Sequence, residues 1–267
     1  MIEDVGPNHR ARVVVVTGAG NGIGREIAIA FAADGDAVVV NDLSALDAQR
    51  TADVIVESGG RAVFHQGDVS DEQGVRSLVG VVRDWAGRAD VLVNNAGMSD
   101  RVIPTAMQET EDWHRVLNVN LTSAYLCSRE FATAFMIPAR DGRIINLASL
   151  AGVVGLPMRN AYSAAKAGIV MMTRTLGSEW AGKGITVNAI APGYMRTNMT
   201  DRLIAEGKLD EQLLVDRIPA GHLGTAGDIA NAAKFLAAPA SSYITGVTLP
   251  VDGGWCAYGQ AGPAVFD

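Results

Sequence analysis

Seven short runs of β-branched and aliphatic residues recur along the chain: RVVVVT (12–17), AVVVN (37–41), RAVFHQ (61–66), DVLVN (90–94), GRIINLAS (142–149), ITVNAIAP (185–192) and GVTLPVDG (246–253). Most are apolar without alternation, the pattern of strands buried on both faces. Between them, over 22–34, 44–58, 71–86, 109–136, 160–181 and 226–238, the apolar positions take helical spacing. Regular alternation of the two patterns predicts an α/β fold, a single doubly wound parallel sheet of about seven strands with helices on both faces. No repeat, low-complexity tract or Pro/Ser-rich linker divides the chain. The expected organisation is an N-terminal extension over 1–11, one domain over 12–254 and a C-terminal tail over 255–267. Residues 193–225 break the alternation, being charged, interrupted by Gly and Pro, and long for a connection. They read as a substrate lid after a strand's carboxyl end, or else as a surface excursion.

Composition narrows the function classes. Nearly half of the 267 residues are apolar, enough for a large core. The net charge of −7, with no Lys/Arg cluster beyond a pair, argues against nucleic acid as a partner. No apolar run is long enough to span a bilayer, so no membrane partner is expected. The opening MIEDVGPNHR lacks the apolar centre of a secretory signal, and two cysteines, Cys127 and Cys256, are too few for a disulfide framework. Both features suit a cytoplasmic protein. His9, His65, His114 and His222 lie far apart, and no metal site is expected.

The first strand runs directly into TGAGNGIG and then a helix. Gly18, Gly22 and Gly24 give the spacing GxxxGxG with an extra Gly20, which differs from GxGxxG. The physics is shared: glycines allow a tight turn and let a diphosphate approach the N–H groups that open the helix. The second strand ends at Asp42. A carboxylate there accepts hydrogen bonds from both adenosine ribose hydroxyls and repels a 2′-phosphate, and no Arg or Lys stands in the loop or just after Asp42. NAD(H) is therefore expected over NADP(H). A helix-capping role for Asp42, near Ser44, is compatible with this.

NAYSAAKAG (160–168) places Tyr162 and Lys166 one helical turn apart on a shared face. A free phenol ionises near pH 10, too high for a base at neutral pH, and a neighbouring cation is expected to lower that value. Such a pair can take a proton from an alcohol or return one to a ketone. Ser149, at the end of the fifth apolar run, is placed to hydrogen-bond the reacting oxygen.

TGAGNGIG, GDV (67–69), NNAG (94–97), Asn120 in LNVNLTSAY, Ser149, YSAAK (162–166) and PGYMRT (192–197) together resemble the short-chain dehydrogenases/reductases, in particular their classical subgroup. The resemblance runs from residue 12 to about residue 254 and implies a Rossmann-type domain. It further implies that Tyr162 is the acid–base residue, that Lys166 binds the nicotinamide ribose, that Ser149 polarises the substrate oxygen and that Asn120 holds a water. Gly18, Asn21, Gly22, Ile23 and Gly24 would contact the cofactor diphosphate, and Asp68 and Val69 the adenine. Asn95, Ala96 and Gly97 would pass beneath the adenosine ribose. Pro192, Gly193, Met195 and Thr197 would fix the carboxamide. A purely structural role is the alternative for each asparagine in these motifs, and is the expectation for Asn118. Thioester reductases that use NADPH typically carry a basic residue where this chain has Asn21.

The expected activity is NAD(H)-dependent interconversion of a secondary alcohol (a polyol, sugar or small hydroxy compound) and its ketone. One alternative is reduction of a 3-oxoacyl thioester on an acyl carrier protein, which Arg140 and Lys183 could meet. Another is a non-catalytic NAD-binding sensor or scaffold. Apolar residues on more than one face of the 109–136 and 160–181 helices (Leu126, Phe131, Phe135, Ile169, Val170, Met172, Leu176) suggest contacts between subunits, and the family resemblance implies a homotetramer.

Overall fold

The computed structural model describes residues 11–207, 209–260 and 262–265. Residues 1–10 of the expected extension, and part of the tail, lie outside the described residues. The strands are β1 (Val13–Thr17), β2 (Ala37–Asp42), β3 (Arg61–Gln66), β4 (Val91–Asn94), β5 (Gly142–Leu147), β6 (Ile185–Pro192) and β7 (Thr248–Val251). They form one parallel sheet in the order β3-β2-β1-β4-β5-β6-β7, matching every run of the hydrophobic pattern.

Helices α1 (Gly22–Ala33), α2 (Ala45–Glu57) and α3 (Glu72–Ala86) alternate with the first strands, and α7 (Asn160–Trp180) and α10 (Ala226–Ala237) with the last. Strand pleating explains the two-sided burial. Val14 and Val16 of β1 enter one core with Ile27, Phe31, Ile55, Ile229 and Leu236. Val13 and Val15 enter the opposite core with Leu78, Val82, Phe131 and Trp180. Helix starts are set by local chemistry. Ser44 and Asp71 accept backbone N–H bonds at the heads of α2 and α3, and Thr225 with Asp228 forms a reciprocal capping box at α10. β2 and β4 flank β1, so the chain's direction of winding reverses there and opens a crevice at the carboxyl ends of these strands.

The helix expected over 109–136 is continuous in direction but not in hydrogen bonding. It divides into α4 (Thr110–Leu117), a π turn (Asn118–Thr122), α5 (Ser123–Phe131), a second π turn (Ala132–Met136) and α6 (Ile137–Ala139). Side chains compete for the ladder carbonyls at the first π turn: Asn120 Nδ2 donates to Val116 O at 2.9 Å and Ser123 Oγ to Val119 O at 2.6 Å. At the second, Pro138 has no N–H to give to the preceding turn. The segment 193–225 carries two short helices, α8 (Asn198–Ala205) and α9 (Glu211–Arg217). A small apolar cluster, with Leu214, Ile218 and Leu223 buried beside Tyr194 and Trp255, sits beneath them.

One expectation changes. Leu126, Phe131, Phe135 and Ile169 are buried within the chain's own cores, and Val170, Met172 and Leu176 pack against those cores. The outward apolar side chains of α5 and α7 are instead Tyr125 and Met171.

Candidate active site

The glycine loop is shaped by contacts that leave no room for side chains. Gly18 has φ +61°, and a Cβ there would lie 2.8 Å from the Ala96 backbone. A Cβ on Gly24 would fall 2.3 Å from both Gly18 O and Asn95 Nδ2. That asparagine ties the loop to the turn after β4, its Nδ2 donating to Thr17 O at 2.9 Å and to Gly18 O at 2.8 Å, while Thr17 Oγ1 accepts from the N–H groups of Asn95 and Ala96. Gly22, at φ +55°, faces open space. Asn21 does not cap α1, and the first turn has no acidic residue. The helix therefore begins with N–H groups directed at an open crevice beside Ile23, an arrangement that fits a diphosphate. Gly24→Ala is expected to destabilise the fold by about 1–3 kcal/mol through this collision and to abolish dinucleotide binding, as read by thermal melts with and without cofactor.

Asp42 occupies the end of β2 as expected, with both carboxylate oxygens in use. Oδ2 accepts from Gly20 N at 2.8 Å and Oδ1 from Ser44 N at 3.0 Å. Ser44 itself caps α2, so Asp42 braces the glycine loop and the turn into the helix. Each oxygen keeps a lone pair for a further donor. Beside it a cleft of about 450 Å³ is lined by Gly20, Asn21, Arg25, Asp47, Arg50 and Asp53 among others. Arg25 belongs to α1, beyond the loop; Arg50, from α2, had no signal near Asp42 in the sequence, and the carboxylates of the cleft offset the charge of both. Along the same rim, Asp68 is exposed and accepts from Ser70 N, Val69 is buried, and Asn118 Nδ2 donates to Ser70 O. Asn118 is thus a structural tie.

At the far half of the sheet, Tyr162 and Lys166 stand on α7, and Ser149 follows β5. Ser149 is near enough to the Tyr162 phenol to favour its ionised form and accepts from Ala151 N at 3.2 Å, which fixes the turn after the strand. Lys166 is buried, its Nζ donating to Leu147 O at 2.7 Å and lying 5.6 Å from the Tyr162 ring centroid. The electrostatics differ from expectation. Burial pushes the Tyr162 phenol above its ordinary value, opposed by Ser149 and the Arg159 charge. Burial pulls the Lys166 ammonium down to about 8. The groups that oppose the rise at Tyr162 are Ser149 and Arg159, and Lys166 is not among them.

Asn120 lies in the first π turn, facing the loop after β4. Its Nδ2 donates to Met98 O and its Oδ1 accepts from Met98 N, so the side chain holds that loop; a Cβ on Gly97 would meet the same Oδ1 at 2.7 Å. Pro192 at the end of β6 and Met195 beyond it are buried, Gly193 N donates to Val251 O at 2.9 Å and Thr197 caps α8. Every site residue drawn from the sequence lies along the carboxyl ends of β1, β2, β3, β4, β5 and β6, or in the turns and helices that follow them.

Other features of this edge had no linear signal. The buried Asp100 side chain forms an ion pair with the partly exposed Arg159 beside Tyr162. Met158, on the loop before α7, holds the left-handed φ of +63°. Tyr194 packs on Trp255 with ring centroids 4.9 Å apart, and Arg217 of α9 lies 4.9 Å from the Trp255 ring and 4.8 Å from the Tyr258 ring. Ala264 N donates to Asp216 O at 2.6 Å, so the tail folds back onto α9. Among the described residues no cluster of three or more His, Cys, Asp or Glu could hold a metal, and no helix is long and apolar enough to cross a membrane.

The family model described as enoyl-(acyl carrier protein) reductase matches residues 18–256. A 3-oxoacyl-[acyl-carrier-protein] reductase of Synechocystis is 42% identical over 91% of this chain and 96% of its own length. The chain belongs to the short-chain dehydrogenase/reductase family. An uncharacterized short-chain type dehydrogenase/reductase of Sinorhizobium fredii, y4vI, is 43% identical over 95% of this chain, which spans only 45% of that relative's length. Among solved structures, a putative 2-deoxy-D-gluconate 3-dehydrogenase of Agrobacterium tumefaciens with bound NADP superposes with a TM-score of 0.84 at 38% identity, over 92% of this chain and 97% of that one. Members of the short-chain dehydrogenase/reductase family are oxidoreductases acting on hydroxyl and keto groups, and the chain is such an enzyme.

Proposed function

We propose that the chain interconverts a secondary alcohol and its ketone with NAD(H), Tyr162 being the acid–base group. The observation that carries this reading is Tyr162 with Ser149 beside it and buried Lys166 Nζ 5.6 Å from its ring centroid, on the same sheet edge as the open glycine loop. Gly18 to Gly24 would hold the diphosphate, Asp42 the adenosine ribose, Asp68 and Val69 the adenine, Asn95 to Gly97 the floor beneath that ribose, and Pro192 to Thr197 the carboxamide. When bound, the cofactor supplies the hydride acceptor or donor. Ser149 orients the substrate oxygen; the Tyr162 phenolate takes the proton from an alcohol, and in the reverse direction the Tyr162 hydroxyl gives one to a ketone. Lys166 would hold the nicotinamide ribose. Residues 193–225, with Tyr194 and Trp255, would close over the substrate.

A polyol, sugar or other small hydroxy compound is the proposed substrate class. Reduction of a 3-oxoacyl thioester is the second reading, favoured by the Synechocystis relative's name. A panel of alcohols with NAD+, run beside acetoacetyl thioesters with NADH and NADPH, separates the two. Tight NADH binding without turnover on either panel would instead favour a non-catalytic sensor.

NAD(H) preference rests on Asp42. Its carboxylate is fixed by Gly20 and Ser44 and cannot swing away from a 2′-phosphate without breaking both bonds. The like-charge cost, on the order of 1–2 kcal/mol near a protein surface, predicts roughly tenfold or greater preference for NAD+ in kcat/KM. Equal or better efficiency with NADP+, the cofactor bound by the Agrobacterium relative, would overturn the assignment. A homotetramer in the cytoplasm completes the proposal, with exposed Tyr125, Met171, Phe235 and Tyr243 available for subunit contacts.

A further inference from the structure

The loops that follow β4 and β5 meet over the start of α7 around an ion pair with an unusual distribution of partners. The Asp100 side chain is 1% exposed, and it pairs with the guanidinium of Arg159, which remains 23% exposed. Arg159 Nη2 also donates to Ser99 Oγ at 2.8 Å. The second Asp100 oxygen accepts the backbone N–H of Tyr162 at 3.1 Å. Arg159 stands at the N-cap of α7 without capping it, so a carboxylate from a distant loop supplies the cap that the helix start lacks. One aspartate thereby fixes both the turn of helix that carries Tyr162 and the arginine before it.

Held in this way, the Arg159 guanidinium lies over the Tyr162 ring, 5.0 Å from its centroid. A phenolate spreads negative charge into its ring, so a cation on the ring face favours the ionised form over the neutral one. An arginine keeps its charge throughout the working range of an enzyme. Lys166, at 5.6 Å from the same ring, is desolvated and gives up its proton far more easily. The charged and titratable groups around the phenol are Arg159 and Lys166 at the start of α7 and within it, Asp100 from the loop after β4, and Tyr194 after β6, whose hydroxyl also lies in the field of Arg159. Asp100 opposes ionisation of Tyr162, so the fixed cation that favours it is Arg159.

We propose that Arg159 is a positioning residue for Tyr162: clamped by Asp100 and Ser99, its guanidinium supports the phenolate from the ring face. The proposal rests on Tyr162 being the acid–base group of the reading above. Direct observation of the phenol tests the two ideas separately. With the five tyrosines labelled with carbon-13 at Cζ, the Tyr162 resonance is assigned by its loss in Tyr162→Phe and titrated in the free protein. In Arg159→Gln its ionisation is expected to move up by about one pH unit, and the rising limb of kcat/KM for alcohol oxidation by the same amount, a roughly tenfold loss at neutral pH that recovers at alkaline pH. Arg159→Lys should restore most of both. Should the glutamine variant fail to fold, Arg159→Met carries the same expectation. An unmoved Tyr162 titration in the neutral variant overturns the proposal, even where activity falls. So does a rise in KM confined to anionic substrates with that titration unmoved, which would make Arg159 a substrate-binding residue. Full activity in Tyr162→Phe would remove the functional reading instead, while the resonance still reports whether Arg159 governs the phenol.

Discussion

Tyr162→Phe is expected to lower turnover by about a thousandfold while leaving dinucleotide affinity within a factor of about two, since a positioned acid–base group is typically worth 10²–10⁴. Phenylalanine keeps the ring beside Arg159 and Lys166 and removes only the phenol oxygen that Ser149 influences. Stopped-flow binding of NADH by fluorescence and steady-state alcohol oxidation measure the two effects independently. Retention of most activity would rule out the scheme. Direction matters as well. Burial holds the Tyr162 phenol above its ordinary value in the free protein, so alcohol oxidation, which needs the ionised form, should rise with pH through the neutral and alkaline range. Ketone reduction needs the protonated form and should fall only in strong alkali.

Lys166→Met is expected to cost activity about a hundredfold and yet stabilise the free protein. The buried ammonium falls from 10.5 to about 8 on folding, a difference of roughly 3 kcal/mol between the two protonation states. Because the folded value is the lower one, the penalty is present in full below about pH 8. It fades as pH rises towards the unfolded value, since in that window the unfolded chain binds the extra proton. Methionine avoids this cost but strands the Leu147 carbonyl that Lys166 Nζ now satisfies, worth about 1 kcal/mol. A net gain of about 2 kcal/mol at pH 7 should therefore shrink when urea denaturation is repeated near pH 10. A variant less stable than the parent at pH 7 would show that this amine is not held at a cost.

The strands and most helices were legible because their signals are local. Runs such as VVVVT are buried on both faces by the pleat alone, and Ser44, Asp71 and Thr225 announce their helices within a few residues. The glycine loop, Asp42, Tyr162 and Lys166 could be located for the same reason: turn chemistry and helical spacing are short-range. What escaped was assembled across the sequence. Asp100 and Arg159 are neighbours only because the parallel sheet delivers the loops after β4 and β5 to one rim. The π turns depend on Asn120, Ser123 and Pro138 competing with a backbone ladder that periodicity treats as uniform. Burial misled the charge reading too, because spacing shows that Lys166 can reach Tyr162 but not that both are desolvated.

Arg217 lies against Trp255 and Tyr258, and the amide of Ala264 is bonded to Asp216. Two stretches separated by α10 and β7 therefore behave mechanically as a single piece. With the lid role proposed above, transplanting substrate preference from a relative would mean exchanging residues 209–217 together with 255–265, since a graft of either alone would break the contacts that join them.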